Sequence, residues 1–225
     1  MMKLRRGAIG AAFLSILLAL FALSVKESSP ASAQAAPTPV NDLVFLVDGS
    51  GSIDSNDFAI QIDGITTALQ DQNLIPPDGS FAVSLIQWSD TARVELPRTV
   101  LTNQASINSA VATINAISQI GRGTSPHLGI NAFTQVLPEL TTGTQTLCLS
   151  TDGTPSSQTM LESSASAADA AGVDRLTVLA IEDGGFTSAV AQQRYGPAVF
   201  GGGSVVTTRN AACLLYTSPS PRDRG

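Results

Sequence analysis

Asp48, Ser50 and Ser52 alternate with Gly49 and Gly51 directly after an apolar run, Leu43-Val44-Phe45-Leu46-Val47. One carboxylate and two hydroxyls are thereby carried from the tip of a buried strand on a backbone that glycine lets turn tightly. All three are hard oxygen donors, and such donors on a flexed loop suit Mg²⁺ or another hard divalent cation. Two further fragments carry the same chemistry. Gly121-Arg122-Gly123-Thr124 brings a hydroxyl to the start of a helical stretch, and Leu147-Cys148-Leu149-Ser150-Thr151-Asp152-Gly153 is a second apolar strand ending in a carboxylate. The competing reading of any one fragment is ordinary turn and cap chemistry, with Ser52, Thr124 or Asp54 as helix N-caps.

The elements that must position these loops alternate between strand and helix. This order predicts an α/β domain with a doubly wound, mostly parallel sheet, one antiparallel edge strand and helices on both faces. Leu43–Val47 has the unbroken apolar character of a strand covered on both sides. Asp54 then reads as a helix start, and Phe58, Ile62, Ile65 and Leu69 have helical spacing. Pro76 to Gly79 is a loop, Phe81 to Trp88 the second strand, and Ala92 to Leu96 its hairpin partner, ended by Pro97 at the sheet edge.

Ile107, Val111, Ile114 and Ile117 mark the next helix. A helix opened by Ser125-Pro126 is expected to bury Leu128, Phe133 and Leu137, with His127 exposed in its first turn. Thr146–Ser150 is the central strand leading to Asp152. An Ala-rich helix follows from Met160 to Ala171, closed by Gly172, then a strand from Leu176 to Ile181. Gly184-Gly185, a helix from Thr187 to Tyr195 and a last strand at Val205-Val206-Thr207 complete the order. Trp88 closes a strand of Val83, Leu85 and Ile86, which core packing explains.

Taken in order, the three loops resemble the metal-ion-dependent adhesion site of von Willebrand factor type A (vWA) domains, whose pattern is Asp-x-Ser-x-Ser, a distant Thr and a distant Asp. The resemblance covers residues 42–208. It implies a vWA domain over 42–212, Rossmann-like in fold, with the family's last helix missing from this sequence. It further implies a metal set of Asp48, Ser50, Ser52, Thr124 and Asp152 for Mg²⁺, or Mn²⁺ or Ca²⁺. In the family the serine hydroxyls bind directly, the threonine directly or through water, and the aspartates largely through water. The remaining coordination position then takes an Asp or Glu carboxylate from a protein partner, so the implied role is adhesion or assembly and not catalysis. Asp-Gly-Ser-Gly-Ser-Ile-Asp at residues 48–54, together with Gln87-Trp88-Ser89, is most similar to a bacterial secreted branch of the family.

Other functions compete for the same residues. Ser50 or Ser52 with His127 and Asp152 would make a serine hydrolase, but the hydrolase elbow needs glycine two residues before the serine, where Asp48 and Ser50 stand. Gly121-Arg122-Gly123 lacks the third glycine of a dinucleotide loop, which would fall at Pro126. Asp54 and Asp57 could add a second cation site, although helix capping explains them more simply. Arg122 could steer a partner carboxylate or offset local acidity. A passive surface component that never uses a metal is the third function class.

Lys3, Arg5 and Arg6 before the apolar run Ala8–Val25, and the small residues Ala31-Ser32-Ala33, predict a secretory signal over residues 1–33, with an uncleaved anchor as the rival. Residues 34–41 read as a short spacer. Removing the signal takes four of the twelve basic residues and one of the eighteen acidic ones, leaving eight against seventeen and a net charge of −9. That surface repels nucleic acid and anionic lipid, so neither is expected as a partner, and no membrane insertion is expected once the signal is cleaved. Cys148 lies in an apolar strand and is expected as a buried thiol without a bridge to Cys213. Residues 213–225 depart from the Ala-rich body and are expected to be a disordered or non-native tail.

Overall fold

The computed structural model describes residues 41–137, 143–182 and 185–208. A six-stranded sheet runs in the order β3-β2-β1-β4-β5-β6. Its strands are β1 (Asn41–Asp48), β2 (Phe81–Trp88), β3 (Ala92–Val100), β4 (Thr144–Thr151), β5 (Arg175–Ile181) and β6 (Val205–Thr208). Every pairing is parallel except β2 with β3. The helices are α1 (Ser55–Gln70), α2 (Gln104–Asn115), α3 (Pro126–Asn131), α4 (Gln158–Ala170) and α5 (Ser188–Tyr195). No helix among the described residues is long and apolar enough to cross a membrane.

The unbroken apolar strands work because the pleat sends alternate residues to two separate cores. Leu43, Phe45 and Val47 of β1 pack with α1 and α2 residues such as Ile65, Leu69, Ile107 and Ile114. Val44 and Leu46 face the other way, towards Ile130, Phe133, Leu161, Ala165 and Tyr195. β1 lies between β2 and β4, and the chain winds outwards from it in both directions. The crevice at the carboxyl ends of β1 and β4 is therefore the switch point where ligands sit in such sheets.

Several boundaries differ from the sequence expectation. Asn41, the last residue of the expected spacer, already belongs to β1, because its N–H donates to Ser80 O and it pairs with Phe81. β3 does not stop at Pro97 but continues to Val100. The β2–β3 register shifts between Leu85↔Leu96 and Val83↔Thr99, and this irregularity absorbs a residue that lacks an N–H. α2 ends at Asn115, so Ile117 packs on the core from beyond the helix. Phe133 and Leu137 are buried as expected, whereas Leu128 is only half-buried and His127, at 5 % exposure, is buried in its place. The inner face of the short α3 runs through Pro126, His127, Gly129 and Ile130, so Leu128 lies off it, and the chain then continues as a 3-10 segment at Ala132–Gln135. Trp88 is wholly buried, and Cys148 is a buried free thiol. The expected signal, tail, missing last helix, Gly184 and Cys213 lie outside the described residues.

Candidate functional site

Asp48 ends β1 and is wholly buried. Its Oδ1 accepts the Ser50 N–H at 2.8 Å, a local turn that Asp forms readily and that fixes the loop leaving the strand. Ser50 Oγ lies 3.0 Å from Ser52 Oγ, and Ser52 Oγ donates to Asp152 Oδ1 at 2.9 Å. The first loop and the β4 loop thus meet through one chain of oxygens. Thr124 arrives from the loop before α3: a Cβ added at Gly153 would lie 3.7 Å from Thr124 Cγ2 and 3.9 Å from Ser52 Oγ. The structure brings all five expected residues to the same crevice.

The glycines of the first loop are demanded by packing. A Cβ on Gly49 would overlap the Gln87 carboxamide, and one on Gly51 would lie 3.2 Å from Arg122 O. Gly51 N donates to Arg122 O and Gly121 N to Gly49 O, each at 2.7 Å, so the two loops are laced together through backbone. Gln119 Nε2 donates to Ser50 O and Ile53 O at 2.8 Å each. Ser125 N binds Ser89 O at 2.9 Å, and Ser156 N binds Thr124 O at 2.8 Å.

Sequence reasoning missed the buried amides beneath these loops. Gln61 Oε1 accepts from Ser150 Oγ at 2.6 Å, and Gln61 Nε2 donates to Asp48 O at 3.3 Å, tying α1 to both site strands. Gln87 Oε1 accepts from Ile120 N at 2.6 Å while its Nε2 donates to Ser118 O at 3.1 Å. Tyr195 O–H donates to Gly153 O at 2.9 Å from below. A signal for Gln61 existed: it falls on the buried stripe of α1 between Phe58 and Ile65, where an amide needs a partner.

The electrostatics set Asp48 apart. Burial pushes its carboxyl up to about 7; hydrogen bonding from Ser50 opposes the rise, and the Asp152 charge adds to it. Oδ2 is buried and unpaired; the Thr151 hydroxyl beside the carboxyl also opposes the rise, but its hydrogen bonds run to Gly153 and Tyr195. A buried carboxylate oxygen without a donor is costly unless a positive neighbour meets it. Among the described residues no group of three or more His, Cys, Asp and Glu is arranged to hold a metal. A cation here would therefore draw on hydroxyls as well as carboxylates, and the oxygen-only set in this crevice fits a hard divalent ion.

The remaining candidates separate. Asp54 Oδ1 accepts from Asn56 N and Asp57 N at 2.8 Å each, so it caps α1. The side-chain hydrogen bonds of Ser50 and Ser52 run to each other and to Asp152. His127 Nδ1 is buried without a partner, and burial lowers its pKa. The Ser–His–Asp relay of a hydrolase is not assembled in this geometry. Arg122 stands with its guanidinium exposed, 3.7 Å from Asp90.

Comparison with known proteins agrees with this geometry. Residues 42–193 match the sequence model of the von Willebrand factor type A domain. Mouse (Mus musculus) integrin alpha-X is 32 % identical over 151 residues, which is 63 % of this chain and 12 % of that protein. Among solved structures, proximal thread matrix protein 1 of the mussel byssus superposes with a TM-score of 0.61 at 20 % identity, over 79 % of this chain and 44 % of that one. A second structure of the same mussel protein has a zinc-occupied MIDAS motif. The pilus adhesin SpaC from Lactobacillus rhamnosus GG superposes with a TM-score of 0.62 at 16 % identity, over 83 % of this chain and 30 % of that one. At these identities the solved structures establish the shared fold, and the chain spans less than half the length of each of these relatives. With the family sequence matched over more than half of its 225 residues and the sheet order and strand-tip crevice in place, the chain belongs to the von Willebrand factor type A family.

Proposed function

We propose that this protein is a divalent-cation-dependent protein-binding module of the adhesion or assembly type, secreted or held at a cell surface. Domains of this family generally mediate metal-dependent protein interactions. In our reading residues 42–212 form the module, and Asp48, Ser50, Ser52, Thr124 and Asp152 hold Mg²⁺, or Mn²⁺ or Ca²⁺ in its place. Ser50, Ser52 and Thr124 would supply neutral oxygens, and Asp48 and Asp152 the balancing charge. When bound, the cation supplies a Lewis-acid position that a partner's Asp or Glu carboxylate can take.

One observation carries the reading. The oxygen chain Ser50–Ser52–Asp152 crosses two loops directly beside a buried Asp48 oxygen that has no donor. Ordinary capping explains none of these contacts, because none of them reaches a helix N–H.

The test is thermal. A cation that binds only the folded state at about a hundred times its dissociation constant adds roughly 2.7 kcal/mol, which for a domain of this size raises the melting temperature by roughly 5–10 °C. Millimolar Mg²⁺ should produce that rise, EDTA should reverse it, and Ser50→Ala should abolish it. Identical melting of the wild type in Mg²⁺ and in EDTA refutes the reading and leaves the passive surface role.

A further inference from the structure

Arg122 occupies a conformation that L-residues avoid. Its φ is +79°, in the left-handed region, and it is the one non-glycine residue among those described with a positive φ. Glycine flanks it on both sides, and Gly121 adopts the same region at +78°. Glycine at 122 would meet the backbone requirement without strain, and the backbone carbonyl alone makes the bond to Gly51 N. The side chain therefore has no part in holding the loop. Its position is nonetheless fixed, because that carbonyl seats the residue against Gly51, between the two site serines. A Cβ on Gly51 would lie 3.8 Å from Arg122 Cα.

The guanidinium projects into solvent at 76 % exposure. It is paired with Asp90, itself 40 % exposed, at 3.7 Å, beyond the length of a charge-assisted hydrogen bond. Such a pair contributes little and exchanges readily for a better acceptor. Arg93, the arginine of β3 at this end of the sheet, is by contrast engaged: it donates to Glu95 and to Ser118 O. A strained, rigidly seated and weakly paired arginine thus stands on the rim of a crevice whose own side chains are acids and hydroxyls.

We propose that Arg122 is a specificity-determining residue: it takes a second carboxylate of the partner, so the module selects protein segments that present two acidic side chains close together. This rests on the cation reading, in which the first carboxylate goes to the metal. Arg122 exchanges Asp90 for that second carboxylate and can meet it with two parallel N–H···O bonds, which a lysine cannot reproduce.

The experiment uses the full chain and capped peptides carrying either one glutamate or two glutamates with short spacers, titrated in millimolar Mg²⁺ and in EDTA. The wild type should bind the best two-glutamate peptide about tenfold more tightly than the one-glutamate peptide. Arg122→Gln should erase that preference, while leaving one-glutamate binding and the Mg²⁺ melting shift as in the wild type. Arg122→Lys should keep only part of it. A preference that survives in Arg122→Gln, or its absence from the wild type, overturns the role of Arg122. Loss of the Mg²⁺ shift in the wild type overturns the cation reading instead, so the two failures are distinct.

Discussion

Asp48→Asn should make the metal-free protein more stable while making it deaf to metal. The Asp48 carboxyl is wholly buried, with one oxygen on the Ser50 N–H and the other without a donor. Its pKa rises from 3.8 to about 7 on folding. Because the folded value is the higher one, the folded state holds the proton more firmly, and stability falls as pH rises from about 4 to about 7. A difference of roughly three units corresponds to about 4 kcal/mol of destabilisation, fully present by pH 8.

Asparagine keeps the carbonyl acceptor for Ser50 N but removes the charge. Its amide must find an acceptor in the same pocket, so recovery of about half, roughly 2 kcal/mol, is expected. The assay is urea or thermal denaturation in EDTA at pH 8 and at pH 4.5. Asp48→Asn should melt roughly 4–8 °C above the wild type at pH 8. At pH 4.5, where Asp48 is already mostly protonated in the folded state and only about 1 kcal/mol of the penalty remains, the gain should vanish and become a deficit of roughly 1 kcal/mol. Millimolar Mg²⁺ should then raise the wild type only. An Asp48→Asn protein less stable than the wild type in EDTA at pH 8, or a gain independent of pH, would refute the reasoning.

Three further outcomes follow from particular contacts. Gly129→Ala places a Cβ 2.8 Å from Trp88 Cδ1 in a packed core, and chemical denaturation should show a loss of about 1–3 kcal/mol with altered Trp88 fluorescence. Arg122→Gly relieves the left-handed strain and should raise stability by about 1 kcal/mol in a thermal melt while losing the two-carboxylate preference. His127 is buried with a lowered pKa, so its neutral form is favoured on folding and stability should fall as pH drops below about 6.5; the stability of His127→Gln relative to the wild type should therefore improve between pH 8 and pH 5.5 in paired melts.

The sequence by itself determined the architecture and the placement of the candidate loops at strand tips, because both rest on local patterns. Leu43–Val47 is apolar on every residue, so helices had to cover both faces. Asp48, Ser50 and Ser52 alternate with glycines next to a strand end, and no packing knowledge is needed to place them on a tip. Asp54 could be read as a cap from its distance to the apolar stripe of α1. Tertiary structure alone decided what surrounds those residues. His127 is buried because the inner face of α3 runs through Pro126, His127, Gly129 and Ile130, and a helix of six residues is too short for its periodicity to say which positions pack inwards. β3 runs through Pro97 because a register shift opposite β2 accommodates it, and register belongs to two strands, not one. Gln61, Gln87 and Gln119 join segments far apart in the chain, and nothing in their own neighbourhoods names a partner. The perturbed Asp48 carboxyl is likewise a property of enclosure: sequence supplies the charge, but only the folded walls around it remove the water that would have kept its pKa ordinary.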